Sequence, residues 1–254
     1  YRGDWVLVAT GGGSYPGTGS RGAGYELARQ AGHTVRPPVP SLVSLVAQGG
    51  ECRRMMGLAL KNVGLTLYQD GKSIFQEQGE ALFTHFGLSG PLVLSASAHL
   101  GDLAKHKYEV GFDLKPALSH EQLYARLNRD LTALANRDAA NCLVKLLPAS
   151  MQPVMVERWG VDPAKKANQL TKEERLALVE LMKDFRIKIR ERGDLEHAVI
   201  TSGGVTVKEV DPRTMASKKC PGLYFAGEVL DVDAYTGGYN LQIAWCTAQA
   251  AARG

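Results

Sequence analysis

The chain has 254 residues, 44% hydrophobic and 22% charged, with a formal net charge of +4. That is ordinary globular composition, enough for one large domain or two modest ones. No apolar run approaches the roughly 18 residues of a membrane helix, and no signal-peptide pattern opens the chain, so a cytoplasmic protein without a membrane partner is expected. The absence of an initiator Met suggests that the true N-terminus lies elsewhere.

The first elements, in chain order, are a buried strand over residues 5–9, a glycine-rich loop, and a helix over about 21–31 that Gly32 terminates. Pro37, Pro38 and Pro40 then break the pattern, and a boundary is placed there. Short strands follow. Residues 63–69 alternate, Asp70-Gly71 makes a hairpin turn, 72–76 return, and 80–83, 92–95 and 107–114 are further candidates. Over 118–192 the spacing turns helical. Ser119/Gln122 and Thr171/Glu174 form capping boxes before helices reaching about 135 and 185. Strand patterns resume at 198–201, 205–207 and 222–227, and 240–252 closes the chain as a helix.

The ends therefore share one character and the middle another. The expected fold class is α/β: a Rossmann-like domain interrupted by an insertion with a small antiparallel β-barrel-like unit and a helical unit. The expected boundaries are 1–37 and 196–254 for the interrupted domain, 38–116 for the β-rich unit and 117–195 for the helical unit.

Charge and metal chemistry are less specific. Residues 116–192 hold 14 Lys/Arg against 10 Asp/Glu, but the signs alternate along helical patterns, which suits a solvated face; nucleic acid is an unlikely partner. Cys52, Cys142, Cys220 and Cys246 form no C-x-x-C pair, and His33, His99, His106, His120 and His197 stand isolated, so no metal site is expected.

Two glycine patterns bear on dinucleotides. Gly17-Thr-Gly19-Ser-Arg-Gly22 matches G-x-G-x-x-G, yet six residues separate it from Thr10 and no acid follows at the ribose distance. The more specific pattern pairs two strand ends, Thr10-Gly11-Gly12 and Ala226-Gly227-Glu228. The second runs on through Asp231 to Gly237-Gly238, where a helix opens. A glycine after a strand lets a ligand approach the backbone, and a helix start offers free N–H groups. These residues equally suit a tight solvent loop.

Five stretches resemble the BaiN-like (YhiN-type) family of NAD(P)/FAD-dependent oxidoreductases. They are Ala9-Thr-Gly-Gly-Gly-Ser-Tyr-Pro16, Leu82-Phe-Thr-His-Phe-Gly-Leu-Ser-Gly-Pro91, Thr201-Ser-Gly-Gly-Val205, Thr214-Met-Ala-Ser-Lys218, and Pro221 to Asp231 running into Thr236-Gly-Gly-Tyr-Asn-Leu-Gln242. The resemblance implies FAD as cofactor, NAD(P)H as electron donor and an unsaturated small molecule as substrate. It implies that Thr10, Gly11 and Gly12 approach the adenosine half, that Gly227, Glu228 and Asp231 contact the ribityl and diphosphate part, and that Gly238, Tyr239, Asn240 and Leu241 line the flavin pyrimidine edge. Gly203, Gly204 and Gly237 complete the expected cofactor set.

Family members open with a strand, a G-x-G-x-x-G turn and a helix that do not precede Tyr1, so a fragment inactive by itself is expected. His85 falls in the insertion, which the resemblance turns toward the flavin. It is either an acid–base catalyst or a turn histidine bonded to backbone. A flavin-dependent tRNA- or rRNA-modifying enzyme and a non-enzymatic flavin-binding protein are the competing functions. The electron acceptor, the choice between NADH and NADPH, and the oligomeric state are not encoded in any motif.

Overall fold

A computed structural model of the chain describes residues 3–253. In chain order its elements begin with β1 (Val6–Val8), α1 (Ala23–Gln30), β2 (Val35–Ser41), β3 (Leu45–Ala47) and α2 (Glu51–Arg54). Next come β4 (Ala59–Gln69), β5 (Lys72–Phe83), β6 (Gly87–Ser89), α3 (Pro91–Ser97), β7 (Tyr108–Asp113), α4 (His120–Ala133), α5 (Gln152–Trp159) and α6 (Lys172–Lys183). β8 (Phe185–Arg192), β9 (Ile200–Val205), β10 (Leu223–Phe225) and α7 (Tyr239–Arg253) complete the set. The chain divides into two compact units, residues 1–44 with 192–254, and residues 45–191.

The first unit holds both chain ends and is Rossmann-like. β1 and β10 run parallel, pairing Val6 with Leu223, Leu7 with Tyr224 and Val8 with Phe225. Beside them β2 and β9 form an antiparallel pair. Val8, Tyr25, Ala28, Val205, Phe225 and Val229 are central to its core. β1 is not the doubly buried strand expected. Val8 is buried, but Val6 and Leu7 remain about half exposed, because the β1–β10 sheet has only two strands.

The prolines at 37, 38 and 40 do not interrupt the fold either. They lie inside β2, where the register shifts between Arg36 and Val39, and Pro40 faces Thr201. The pair β2–β9 forms a two-stranded sheet, so a residue without an N–H can turn that side outward at no cost in ladder bonds.

The second unit is a closed six-stranded barrel in the order β3-β6-β5-β4-β7-β8, with helices packed on it. Leu65, Leu67, Phe83, Val110 and Phe112 from strands, and Leu123, Leu127, Val154 and Leu178 from helices, belong to one continuous core. Separate β-rich and helical units, with boundaries at 116 and 195, are therefore replaced by one unit of 45–191. The reason lies in β8. Phe185, Ile187 and Ile189 alternate inward with Arg186, Lys188 and Arg190 outward, and this strand pairs with β7 after the helices. Residues 92–95, expected as a strand, are the buried helix α3. Pro91 occupies its first turn, Gly90 precedes it at φ 93°, and the Leu94 N–H bonds the Gly90 carbonyl.

Candidate functional site

Both parallel strands of the first unit end at the same edge, where the Ala226 N–H bonds the Val8 carbonyl at 3.1 Å. From there the chain leaves in two glycine-bearing loops, 9–14 and 226–238. Their geometry follows from what each glycine touches.

Gly12 is buried, and a Cβ there would overlap the Glu228 carboxylate and the Thr201 hydroxyl. Gly11, at φ 75°, would meet only Ser20. The loop is held from beneath. Thr201 Oγ1 accepts the Gly13 N–H at 2.8 Å and the Ser14 N–H at 2.9 Å. Glu228 Oε1 accepts the Thr201 N–H at 2.7 Å and the Ser14 hydroxyl at 3.2 Å. The Ser20 hydroxyl donates to the Thr10 carbonyl at 2.8 Å and also contacts the Gly12 carbonyl. The Thr10 hydroxyl fills the space where a Cβ on Gly24 of α1 would go, which draws helix and loop together. The Tyr25 hydroxyl is buried next to these groups without a hydrogen bond of standard geometry. Burial first and the Glu228 charge second push it up to about 12, and the Thr201 hydroxyl offsets part of that.

The second loop opens differently. The Gly227 N–H donates to Thr247 of α7 at 2.9 Å. Gly237 and Gly238 have φ of 108° and 90°, and a Cβ on Gly238 would meet nothing within 4 Å. They lead straight into α7, fifteen residues long, whose first turn contains Tyr239, Asn240 and Leu241. Tyr239 and Leu241 are 61% and 68% exposed, so this helix start is an open surface. A helix N-terminus carries unpaired N–H groups and about half a positive charge, which favours an anionic or carbonyl edge.

The remaining expected residues are engaged within the protein. The Asn240 amide accepts the Ala234 N–H at 2.8 Å and donates to its carbonyl at 2.7 Å, pinning the loop ahead of the helix. Asp231 pairs with Arg36 at 3.1 Å. Gly203 and Gly204 lie in β9, and a Cβ on either would come within 2.5 Å of the Pro37 or Val229 carbonyl; their glycine character follows from packing inside this unit. Gly17 and Gly19 of the G-x-G-x-x-G pattern have nothing within 4 Å of a notional Cβ.

His85 belongs to the other unit. It lies exposed on the turn between β5 and β6, edge-on to Phe86 at 4.9 Å. Among the described residues no group of three or more metal-ligating side chains converges, and no helix is long and apolar enough to cross a membrane. Thr201 and Ser14 were not singled out from the sequence. Each falls within one of the resembling stretches, Ser14 in Ala9–Pro16 and Thr201 in Thr201–Val205, and residue type alone marks neither.

Two glycine loops at the carboxyl edge of a parallel strand pair, next to an open helix start, are the arrangement of a Rossmann-like α/β domain. The family profile described as the HI0933-like protein Rossmann domain matches residues 1–254. The chain belongs to that family, the BaiN/YhiN type of FAD-dependent oxidoreductases. It is 34% identical over 250 residues to the ribosomal RNA dihydrouridine synthase of Escherichia coli, covering 98% of this chain and 60% of that protein. It is 32% identical over 256 residues to the 3-dehydro-bile acid delta(4,6)-reductase of Clostridium scindens, covering 98% and 61%. A ribosomal RNA dihydrouridine synthase of Haemophilus influenzae is 34% identical over 249 residues, covering 97% and 59%. The chain thus spans about three-fifths of the length of these relatives.

Proposed function

We propose that these residues form the larger part of an enzyme that binds FAD and uses NAD(P)H to reduce a carbon–carbon double bond conjugated to a carbonyl. The observation that carries the reading is the unobstructed Gly237-Gly238 entrance to α7. Two successive glycines at positive φ, with nothing opposing a side chain at Gly238, leave room that this chain does not fill. The donor set fits a flavin pyrimidine edge, which gains negative charge on reduction.

FAD, when bound, supplies the acceptor and donor of hydride between the nicotinamide and the alkene. The chain's own residues orient it. The N–H groups at the start of α7 would meet its carbonyl edge, Asn240 holds the preceding loop, and the bare backbone of Thr10, Gly11 and Gly12 would meet the adenosine half. Gly227 and Glu228 lie where the second loop leaves the sheet, and would hold the ribityl and diphosphate part. Gly203 and Gly204 are not needed as direct contacts, since packing accounts for both.

The names of the relatives support this level of description. Dihydrouridine and a reduced bile-acid dienone both arise by adding two electrons and two protons across an unsaturated bond next to a carbonyl. The uracil ring in RNA is the alternative substrate to a free enone, since two of the relatives are named as ribosomal RNA dihydrouridine synthases. The polypeptide of natural length that carries these residues, purified and titrated anaerobically with NADPH and NADH, should bleach the flavin absorbance near one equivalent. Addition of a steroid enone or of uridine-containing RNA should then restore it. A flavin that neither nicotinamide reduces would favour a non-enzymatic flavin protein.

A further inference from the structure

We infer that Thr201 is a positioning residue for the cofactor loop, acting through two consecutive backbone N–H groups; this rests on the FAD-binding reading above. Thr201 has no exposed surface, and its hydroxyl oxygen accepts from both Gly13 and Ser14, 188 and 187 residues away in sequence. Successive N–H groups converging on one point form the concavity that elsewhere receives an anion. Here a hydroxyl from β9 occupies it. The Thr201 N–H in turn holds Glu228 Oε1, which also accepts the Ser14 hydroxyl. One side chain and one carboxylate oxygen therefore fix the backbone and the side chain of the same loop, and both lie against Gly12, which has no room for a side chain.

The chemical consequence is directional. With the N–H groups of residues 13 and 14 turned inward, the outer face of the loop is the backbone of Gly11 and its neighbours. Ser20 alone lies within 4 Å of a notional Cβ on Gly11. Glu228 acts first as a brace, since one carboxylate oxygen is committed to Thr201 and Ser14. Valine at 201 keeps the shape of threonine but removes the acceptor, leaving two partly buried donors without a partner.

The experiment has two arms. Amide hydrogen exchange on the 254-residue chain should be faster at Gly13 and Ser14 in Thr201→Val, by about tenfold for one lost acceptor. Thr201→Ser should restore the parent rates. In the natural-length polypeptide, FAD affinity measured by flavin fluorescence should fall about tenfold in Thr201→Val and recover in Thr201→Ser. If Thr201→Val does not fold, Thr201→Ala serves in both arms. Unchanged exchange at residues 13 and 14 overturns the brace. Faster exchange with unchanged FAD affinity overturns its role toward the cofactor. A parent that binds no FAD overturns the functional reading, while the exchange arm still reports on the loop.

Discussion

A methyl group on Gly12 would overlap the Glu228 carboxylate and sit 2.7 Å from the Thr201 Cβ, so the loop cannot accept alanine without moving two braced side chains. Gly12→Ala is expected to destabilise the first unit by about 1–3 kcal/mol, the usual cost of overpacking, read as a lower denaturant midpoint. A second polar node looks catalytic by composition and is not built that way. His33 is buried, its Nε2 is 2.7 Å from the Ser217 hydroxyl, and its Nδ1 is 3.3 Å from Glu209. Ser217 Oγ already accepts the Lys219 and Cys220 N–H groups, so its proton goes to His33 and the hydroxyl serves as a turn cap.

Burial holds His33 below its ordinary pKa, with the Glu209 charge opposing and Lys219 assisting. Bonds from Lys219 and Thr34 hold Glu209 down to about 2. The two signs act together on acidification. Between the lowered His33 value and the ordinary value near 6.5, the unfolded chain binds the extra proton, so stability drops as pH falls from 6.5. Glu209 adds stability above its unfolded value near 4.5, lost as pH falls toward 2. Tm should therefore decline below pH 6.5, and His33→Gln should flatten that first part while leaving the decline below pH 4.5. A parent Tm that is level between pH 6.5 and 5 would contradict the assignment.

At the scale of elements, the capping boxes show what one hydroxyl contributes. Ser119 accepts the Gln122 N–H at 3.2 Å, and the Gln122 side chain accepts the Ser119 N–H at 3.0 Å. Ser119→Ala should cost about 1 kcal/mol in a urea titration, and Ser119→Asp should recover most of it. Such local signals explain what could be read in advance. The two capping boxes, the Asp70-Gly71 turn and the helix stop at Gly32 each need only a few adjacent residues, and each lies where the chain suggested.

What failed needed partners distant in sequence. The run 92–95 is apolar enough for a strand, but α3 forms because Gly90 and Pro91 start a helix that packs on β5, where Gly79 leaves room for Leu92. The alternation in β8 was masked by charged neighbours that continue the helical stretch. It acquires meaning only when β7 lies alongside to close the barrel. The site divides the same way. The glycines at 11, 12, 227, 237 and 238 stand out as residues, whereas Thr201 matters through Gly13 and Ser14, which folding alone brings to it. At α7 the open approach at Gly238 makes a direct test. Gly238→Ala meets no neighbour, so the cost to folding is only backbone strain of about 1–3 kcal/mol at φ 90°. FAD occupancy of the natural-length protein should nevertheless fall, together with its reduction potential. Full occupancy and an unchanged potential in that variant would mark the segment as a plain solvent loop.

For the whole molecule, the distribution of apolar surface sets the final expectation. Trp5, just before the first strand, and Val6 and Leu7 within it are 77%, 55% and 48% exposed, and Leu241 and Trp245 of α7 are 68% and 74% exposed. No residue of α7 is fully buried. Trp5, Leu7 and Tyr224 also line a cavity of about 460 Å³ with Ala251, Ala252 and Arg253. Parallel strands are ordinarily covered on both faces, and an uncovered patch of this kind marks a surface that binds something. The relatives are longer by about two-fifths of their own length, and the cofactor loops lie in the same unit as this patch. The 254 residues by themselves should therefore bind a hydrophobic dye strongly and hold FAD well below one per chain after dialysis. The natural-length polypeptide should bind little dye and retain the flavin. Replacing Trp245 by Ser should lower dye binding in the short chain. A short chain that stays yellow with close to one FAD per molecule would show that its two glycine loops suffice to hold the cofactor.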